Sequence, residues 1–519
     1  MSSTTSSHER IDKVSSDNLV IGFDLLSNLT YMWVLSTGSL SRSRIVEQCA
    51  RQRLKTAVFF EYIYVAAERM KMSYAQAFQI VAEKARASSV KSLLLRFAAA
   101  MSSGESEKEF IAQEAATEAE RYGNEYQRSV ENLRKWTDAY AAVLISVTLI
   151  MVVSLVSSLM GSLGSNFIII MACTLFFITS IGVYIIKAVA PVEKTPYDGP
   201  RHGTRERRMA RSLLFLLGPV GLALAALIGP QFDPLSGFSV AFLIIGVFLL
   251  PAGYYAWKDD ASVRKLDSEL HTFLRSVGNV AGATGSTLTE SLKALDTASM
   301  GSLQPHVERL KVRLAAKLPT HDCWEKFRQD TGSDLVNRST HMLVDGSELA
   351  GRPDQVGRIC STFALKVTQL RATRALTAST FSFLALPMHA TMTFILVFVL
   401  EIVTNFNAKL SSVSAGTAGR AQAEFEVPDS MALPPGIYLP KQGDLGSGAD
   451  IFGAQDVSLI TYTILMVIII LTVANTLAPK FAAGGSHLKV ASFLSVMLLI
   501  SGIVLAAVPY ITSKLFGLN

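Results

Sequence analysis

Gly285-Ser-Thr-Leu-Thr-Glu290-Ser-Leu292 and Gly346-Ser-Glu348-Leu-Ala-Gly351 lie within the stretch that decides the fold, a charged and helix-patterned island covering residues 261–378. Apolar segments flank this island on both sides. Its order of features recurs in a weaker form before the first apolar segment of the chain. The remaining sequence therefore anchors the island, repeats it or connects it to the apolar segments.

The composition is typical of a polytopic membrane protein. Of the 519 residues, 50% are hydrophobic, and the mean hydropathy is +0.35. A further apolar stretch, 19–35, is interrupted by Asp24 and Asn28, so an interfacial or domain-packed helix is favoured there over an eighth span. Seven windows are long enough to cross a hydrocarbon layer of ~30 Å as helices: 139–160, 166–189, 212–229, 238–257, 379–403, 457–477 and 488–511.

Charged loops predict how these seven transmembrane helices are oriented. Residues 191–211 carry a surplus of bases, which marks a cytoplasmic loop under the positive-inside rule. The polar N-terminus shows no secretory signal and is expected in the cytoplasm. Alternation then places the C-terminus outside. The predicted protein is a multi-pass protein of the cytoplasmic (inner) membrane.

The predicted architecture is all-α and divides into six regions. An N-terminal cytoplasmic helical module (1–138) precedes four transmembrane helices (139–257) that include the basic cytoplasmic loop 191–211. The second cytoplasmic helical bundle (258–378), a transmembrane helix (379–403), an external loop (404–456) and two transmembrane helices with the C-terminus (457–519) follow.

The helix that leads into the first span begins unusually acidic. Glu105, Glu107 and Glu109 start a series that continues to Glu125, and the helix turns basic at Arg134. This polarity suits the helix macrodipole. A solvated helix face is the favoured interpretation, and a docking surface for a cytoplasmic partner is the alternative.

The island is predicted to form about six short helices that pack as a bundle. Gly285 ends the first helix, and Thr287 with Glu290 forms a capping box that opens the second. The fifth helix leads to turns at Gly346 and Gly351.

Two spacings indicate that the first module is a duplicate of the island. Both modules end in a helix that continues into the membrane. On this register the first copy lacks a counterpart of residues 346–351. The matched sets are Ser73-Tyr74 and Phe78 with Thr287-Leu288 and Leu292, and Met101 and Phe110 with Leu318 and Phe327.

This duplicated bundle resembles the type II secretion system F-domain family, the platform proteins of type IV pili, Tad pili and archaella. The glycine-plus-hydrophobic turn at 285–288 carries the resemblance, together with the acidic turn at 346–351, which approximates a G-E-x-x-G pattern with one residue inserted. The likeness covers both modules and the spans that follow them. Seven spans and the extended first module are closer to the archaellum J branch and to archaeal or Tad-like pilus versions than to the three-span bacterial platform.

The resemblance implies several partners. A hexameric secretion-type ATPase would dock on the bundles, and pilin-like filament subunits would be moved out of the lipid bilayer. A homodimer at the filament axis is also implied.

The sequence favours a protein that is not an enzyme. No G-x-x-x-x-G-K-[ST], H-E-x-x-H or G-x-S-x-G pattern occurs, so no nucleotide loop, zinc-protease site or hydrolase site is predicted. Cys49, Cys173, Cys323 and Cys360 lack metal-ligand spacing and are interpreted as small core residues, so no metal and no cofactor are expected. Basic runs interleaved with aromatic residues are also missing, so no nucleic acid is expected.

Three positions have competing interpretations. His389 lies near the middle of a predicted span, where a hydrogen-bonded packing residue is favoured over a role in a polytopic membrane transporter or channel. Local helix capping is favoured for Glu348 over pairing with a base on a partner. Arg205, Arg207 and Arg208 mark cytoplasmic topology, and phosphate headgroups or an acidic ATPase surface could each bind them.

The predicted function is therefore that of an inner-membrane platform of a type IV pilus-like or archaellum assembly machine, which couples a cytoplasmic secretion ATPase to filament assembly or rotation. The alternative is the transporter or channel. Candidate partner-docking residues are Arg205, Arg207, Arg208, Glu105, Glu107, Glu109, Gly285, Gly346, Glu348 and Gly351.

Overall fold

The computed structural model describes residues 18–159, 165–197, 203–424 and 457–515, which form α-helices joined by short turns. An isolated β-bridge pairs Pro196 with Ser333. These residues contain no β-strand, and for them the predicted all-α class is confirmed.

The first module consists of six helices whose starts are set by local capping. The side chain of Asn18 accepts a hydrogen bond from the Ile21 N–H at 3.0 Å. Ser73 accepts one from the Gln76 N–H at 3.3 Å, as its capping pattern predicts. The helices are α1 (Leu19–Ser36), α2 (Arg42–Ala50), α3 (Ala57–Tyr64, continued by the π-helix Val65–Arg69), α4 (Tyr74–Lys84), α5 (Ser88–Ser103) and α6 (Glu107–Leu159).

Three long helices follow the first module. They are α7 (Ser165–Val189), α8 (Arg205–Ile228) and α9 (Pro234–Thr284). Apolar side chains on α8 point outward, with Phe215 74% and Leu216 65% exposed, as expected of a surface that faces lipid. Helix α9 runs without interruption from the fourth predicted span through the first predicted helix of the island.

The second module is completed by five helices after α9. Thr287 caps the first of them through the Glu290 N–H at 3.4 Å, and Ser333 caps another through the Val336 N–H at 3.2 Å. These helices are α10 (Leu288–Ala294), α11 (Gln304–Ala315), α12 (Thr320–Thr331), α13 (Asp334–Leu349) and α14 (Pro353–Glu424), and α15 (Val457–Ala483) and α16 (Lys489–Leu515) end the described chain.

Eight helices in the described residues are long and apolar enough to cross a membrane, one more than the seven predicted. The additional helix is α1. Its residues Leu25, Leu29 and Val34 are at most 1% exposed, and they belong to the same hydrophobic core as Leu270 and Phe327 of the second module. This position agrees with the domain-packed interpretation of residues 19–35.

The two modules share one hydrophobic core and form a single body. Phe97 of the first module and Leu274 of the second belong to one contiguous cluster of buried side chains. The turn after α1 also contacts the second module, because a Cβ placed on Gly38 would lie 2.5 Å from the Cα of Ala350. The apolar parts of the long helices form a second cluster.

The order of the helices corrects the register of the internal duplication. Counted in order, α1–α6 correspond to α9–α14. This places Gly38, after α1, opposite Gly285, after α9. It also places Gly104 opposite Gly351, and both have left-handed backbone conformations, with φ of 74° and 69°. The first copy therefore has a counterpart of the Gly351 turn.

Counted by α-helices alone, neither residue pairing predicted for the duplication joins helices of the same order. Ser73 opens α4, the fourth helix of its module, whereas Thr287 opens α10, the second helix of the other. Phe110 lies on α6, the last helix of its module, whereas Phe327 lies on α12, two helices before the last. Equal offsets arose because helical modules repeat apolar spacings at many registers.

The first part of the predicted external loop is helical in the structure. Helix α14 continues to Glu424, so residues 404–424 of that loop are helical. The predicted N-terminal residues 1–17, the turn at 160–164, positions 198–202 of the basic loop, residues 425–456 and the end of the chain at 516–519 lie outside the described residues.

Candidate docking and coupling site

Three helices, α6, α9 and α14, connect the shared core of the modules to the apolar cluster. On α9, Leu270 belongs to the shared core and Leu249 to the apolar cluster. On α14, Ile359 belongs to the shared core and Phe381 to the apolar cluster. Because the helices are continuous, a displacement of the modules is carried to the apolar cluster without passing through a loop.

Two of these helices touch through glycines. A Cβ on Gly278 of α9 would lie 2.7 Å from the Cα of Gly357 on α14 and 2.6 Å from the carbonyl oxygen of Pro353. Both distances are shorter than atoms tolerate, so any larger residue would force the backbones apart. The crossing is therefore fixed by backbone contact.

Buried ion pairs surround the transition from modules to apolar cluster. Arg371 of α14 donates to Asp267 Oδ2 of α9 at 2.7 Å and to Glu193 Oε2, which follows α7, at 3.2 Å. Ser333 donates a further hydrogen bond to Asp267. These contacts join α9, α14 and the segment after α7.

Arg207, one of the predicted docking residues, belongs to the same transition. Its side chain is 2% exposed, and its Nε donates to Asp259 Oδ2 at 3.0 Å. It also donates to the carbonyl oxygens of Tyr197 and Gly332, each at 3.2 Å, and Thr204 donates to Asp259. Arg207 therefore holds α8 against α9 and is not available to a partner surface.

A third arginine extends the arrangement to the end of α15. Arg374 is 6% exposed and donates to the carbonyl oxygens of Pro191 at 2.7 Å, Ala482 at 3.1 Å and Phe481 at 3.2 Å. We call this set of residues the junction belt: Glu193, Arg207, Asp259, Asp267, Arg371 and Arg374.

Sequence reasoning missed the junction belt, although a signal was present. Asp259 and Asp267 are eight residues apart on one helix, and Arg371 and Arg374 are three apart on another. Each spacing places both side chains on one helix face. Opposite charges on the faces of two neighbouring helices indicate pairing between them.

The other predicted basic residues are exposed. Arg205 and Arg208 face solvent at the start of α8 and line a cleft of about 530 Å³ with Arg309, Arg313 and Lys326. This cleft is accessible to anionic groups from outside the protein.

The acidic residues at the start of α6 differ in exposure and in ion pairing. Glu105 and Glu109 are exposed, and within the described residues neither forms an ion pair. Glu107 is half-buried and pairs with Arg42 Nε at 3.0 Å. Only the first two are therefore free to contact a partner.

Two later members of the acidic series are buried, contrary to the favoured interpretation, whereas Glu120 is exposed. Glu114 is 8% exposed and accepts two hydrogen bonds from Arg96, at 2.8 and 2.7 Å. Glu118 is 3% exposed and pairs with Arg121 at 2.7 Å. The Arg96–Glu114 pair holds α6 against α5, whereas the Glu118–Arg121 pair lies within α6.

The glycine motifs meet in one place. Gly285 ends α9 with φ 61° and Gly351 precedes α14 with φ 69°. They line a common cleft of about 350 Å³ with Arg352 and Asp354. Gly346 is not a turn residue as predicted. It lies inside α13, and a Cβ there would be 2.2 Å from a methyl group of Val34.

Glu348 lies exposed in the last turn of α13. In the described part of the chain its carboxylate accepts no hydrogen bond and forms no ion pair, so the favoured capping interpretation is wrong. The side chain is open to a basic group on a partner.

Two further sequence interpretations can be compared with the structure. His389 is buried, with Nε2 2.8 Å from Ser501 Oγ and Nδ1 3.2 Å from Asn475 Nδ2. The prediction of a hydrogen-bonded packing residue is confirmed. Cys49, Cys323 and Cys360 are buried, whereas Cys173 on α7 is exposed and is not a core residue.

Comparison with known proteins adds to this picture. No family model matches the chain, and no solved structure matches it. Flagella accessory protein J of Methanococcus voltae is 23% identical over 500 residues, which cover 94% of this chain and 84% of that protein. Flagella accessory protein J of Methanocaldococcus jannaschii is 24% identical over 358 residues, which cover 67% of this chain and 63% of that protein.

The match to the Methanococcus voltae protein covers 94% of this chain and therefore includes most of both modules and of the long helices. The match agrees with the resemblance carried by the duplicated bundle and its glycine turns. The chain is therefore similar over most of its length to a flagella accessory protein J, and this similarity supports a platform protein of the archaellum and type II secretion F-domain type.

Proposed function

We propose that this protein is the membrane platform of an archaellum or related type IV pilus-like machine, and that it couples a cytoplasmic secretion-type ATPase to filament assembly or rotation. The observation that carries the proposal is the continuity of α6, α9 and α14 between the shared core and the apolar cluster. Relatives named flagella accessory protein J support the same assignment.

The coupling would be mechanical, and the chain itself would catalyse no reaction. An ATPase that rotates or tilts the modules would move the ends of α9 and α14 together, because the Gly278–Gly357 contact and the junction belt oppose sliding between these two helices. The apolar parts of the helices would then shift beside the pilin-like subunits in the bilayer. Close-packed interfaces transmit such shifts because they resist continuous deformation.

The ATPase would dock on exposed charges of the modules. Glu105, Glu109 and Glu348 offer acidic contacts, and Arg205 and Arg208 offer basic ones. These residues have no competing structural role in the contacts described, unlike Arg207 and Glu107. In this proposal the modules and the N-terminus lie in the cytoplasm, the C-terminus lies outside, and two copies form a homodimer.

The proposal is tested in two steps in the native cell. Deleting the gene should abolish filaments seen by electron microscopy, and normal filaments in the deletion strain would refute the platform function. The second step replaces the gene by the double variant Glu105→Lys and Glu109→Lys. Co-purification of the secretion ATPase should fall roughly tenfold or more, because two attractive contacts become repulsive.

The control for the second step is Glu61→Lys, an exposed acid on α3 of the same module. It carries one charge reversal outside the acidic start of α6 and should leave ATPase binding unchanged. Unchanged ATPase recovery with the double variant, at wild-type amounts in the membrane, would refute docking at Glu105 and Glu109.

A further inference from the structure

A pocket of about 520 Å³ opens between the two modules. Its walls come from α1, from the turn between α2 and α3, from the segment after α7, and from α12 and α13. The volume lies within the usual range for small-molecule sites. The residues that matter for its chemistry are Arg53, Lys194, Tyr197, Arg328, Arg338 and His341.

Arg328 is the unusual member of this lining. The residue is 8% exposed, and within the described residues its guanidinium donates no hydrogen bond and forms no ion pair. Burial lowers the pKa of Arg328, only partly offset by Tyr197, Glu325 and Asp345. The guanidinium lines the pocket, so a group that enters the pocket can compensate the charge that the described protein leaves without an acceptor.

Three other buried arginines have the acceptors that Arg328 lacks. Arg207 and Arg374 are buried to a comparable degree, at 2% and 6% exposed. Each of them donates at least three hydrogen bonds to carboxylates or carbonyl oxygens. Arg338, in the same pocket, pairs with Asp24 and Asp334 at 2.7 Å each. Arg328 alone among these four lacks an acceptor in the described chain.

Most of the remaining charges of the pocket are also basic, although Glu325 and Asp334 line it as well. Arg53 and Lys194 are exposed at its rim and form no ion pair in the described part of the protein. The lining holds five cationic side chains (Arg51, Arg53, Lys194, Arg328 and Arg338) and two carboxylates (Glu325 and Asp334), a surplus of three positive charges with histidines neutral. Since Asp334 is occupied by Arg338, the pocket selects for anions.

Lys194 lies on a segment whose backbone is hydrogen-bonded to the second module. This segment, which follows α7, pairs with the turn before α13. The Tyr197 N–H donates to the Gly332 carbonyl at 2.8 Å, and the Asp334 N–H donates to the Thr195 carbonyl at 3.0 Å. Tyr197 and His341 add flat surfaces to the lining. A ligand with a body larger than a bare ion therefore fits the space.

We propose that this pocket binds a phosphate-bearing small ligand, with Arg328 as the innermost contact and Arg53 and Lys194 at the rim. A guanidinium presents a planar fork that matches phosphate oxygens, and lysine adds a mobile point charge. Bound ligand would bridge the first module, the segment after α7 and the second module. The inference does not depend on the platform function.

The test uses the purified full-length protein in detergent with inorganic pyrophosphate as the probe. Calorimetric titration should detect binding, and pyrophosphate should raise the melting temperature where sodium chloride of equal ionic strength does not. Arg328→Gln should weaken pyrophosphate binding by roughly tenfold or more. Without pyrophosphate this variant should melt at or above the wild-type temperature, because it removes an unpaired buried charge.

The matched control is Arg358→Gln, which makes the same substitution at an exposed position on α14 of the same module, outside this pocket. It should bind pyrophosphate as the wild type does. Arg53→Gln, at an exposed position, should weaken binding severalfold with an unchanged melting temperature, so the proposal can be tested even if Arg328→Gln misfolds.

Two sources could supply the phosphate, a soluble phosphate ester or a phospholipid headgroup, and reconstituted protein distinguishes them. In nanodiscs, phosphatidylglycerol in place of phosphatidylcholine should reduce pyrophosphate binding only if the headgroup occupies the pocket. No detectable pyrophosphate binding by the wild type in detergent would overturn the proposal. So would equal weakening by Arg328→Gln and Arg358→Gln, which would indicate a general effect of charge.

Discussion

Replacing Arg371 by methionine should be among the most damaging single changes in the modules. The substitution leaves Asp267 and Glu193 buried without their common partner, and the side chains of both are only 5% exposed. Removing one member of a buried pair typically costs about 3–5 kcal/mol, because the remaining charge stays desolvated. At roughly 2–4 °C per kcal/mol for a body of this size, the melting temperature should fall by about 6–20 °C.

The assay is thermal unfolding of the purified full-length protein followed by tryptophan fluorescence. Trp324 is 1% exposed within the shared core, so its emission reports on the modules. Arg358→Met provides the control, because Arg358 is exposed on the same helix. A surface change of this kind should alter stability by less than about 0.5 kcal/mol.

A compensated variant separates charge from packing. The triple variant Glu193→Gln, Asp267→Asn and Arg371→Met removes all three charges while keeping an acceptor for the Ser333 hydroxyl. It should recover most of the lost melting temperature, since buried ion pairs are often replaceable by neutral groups. A loss below about 1 kcal/mol for Arg371→Met alone, or a triple variant as unstable as the single one, would refute the reasoning.

Two further outcomes are expected of the second module. Gly357→Ala should lower the free energy of unfolding by about 1–3 kcal/mol, because its Cβ would lie 2.7 Å from the Gly278 Cα. Gly285→Ala should lower it by about 1 kcal/mol, from backbone strain at φ 61° alone. Thermal melting of both variants checks this order, and a larger loss of stability at Gly285 would contradict it. Burial, reinforced by Arg309, lowers the pKa of His306 from 6.5 to about 4, so its neutral form contributes stability above pH 6.5 that is lost as pH falls through 4. The melting temperature of wild type should therefore drop more steeply than that of His306→Gln between these pH values, and parallel curves would count against this assignment.

The parts of the fold that are determined locally could be predicted from the sequence. Ser73 and Thr287 were placed at helix starts because a capping side chain acts on backbone within three residues. Gly285 was placed at a helix end for the same reason, because the left-handed turn favours glycine. The long apolar windows were equally visible, since spanning a bilayer needs a minimum length.

The contacts between distant segments could not be predicted. Glu193, Asp267 and Arg371 come from three regions of the sequence, and nothing local to any one of them indicates the other two. The predicted register of the duplication differs from the helix order for a related reason. Apolar offsets alone cannot distinguish the second helix of a module from the fourth, whereas the helix order and the turns at Gly104 and Gly351 do so.

The group of arginines at the start of α8 shows how little sequence distance separates two different roles. Arg205 and Arg208 face solvent, while Arg207 between them turns inward to Asp259. At 100° per residue, neighbouring positions on a helix point in different directions, so a run of like charges is divided between surface and core. Partner docking therefore has to be tested with single substitutions at Arg205 and Arg208.

The shared core also decides which experiments on the island are informative. Removing residues 258–378 would expose Leu25 and Leu29 of α1 and Phe97 of α5, because these side chains pack in one cluster with Leu270 and Phe327. The first module would then lose its own stability, and loss of ATPase binding would say nothing about where the ATPase docks. Exposed charges such as Glu348 can be reversed without touching that core, so only such changes separate docking from folding.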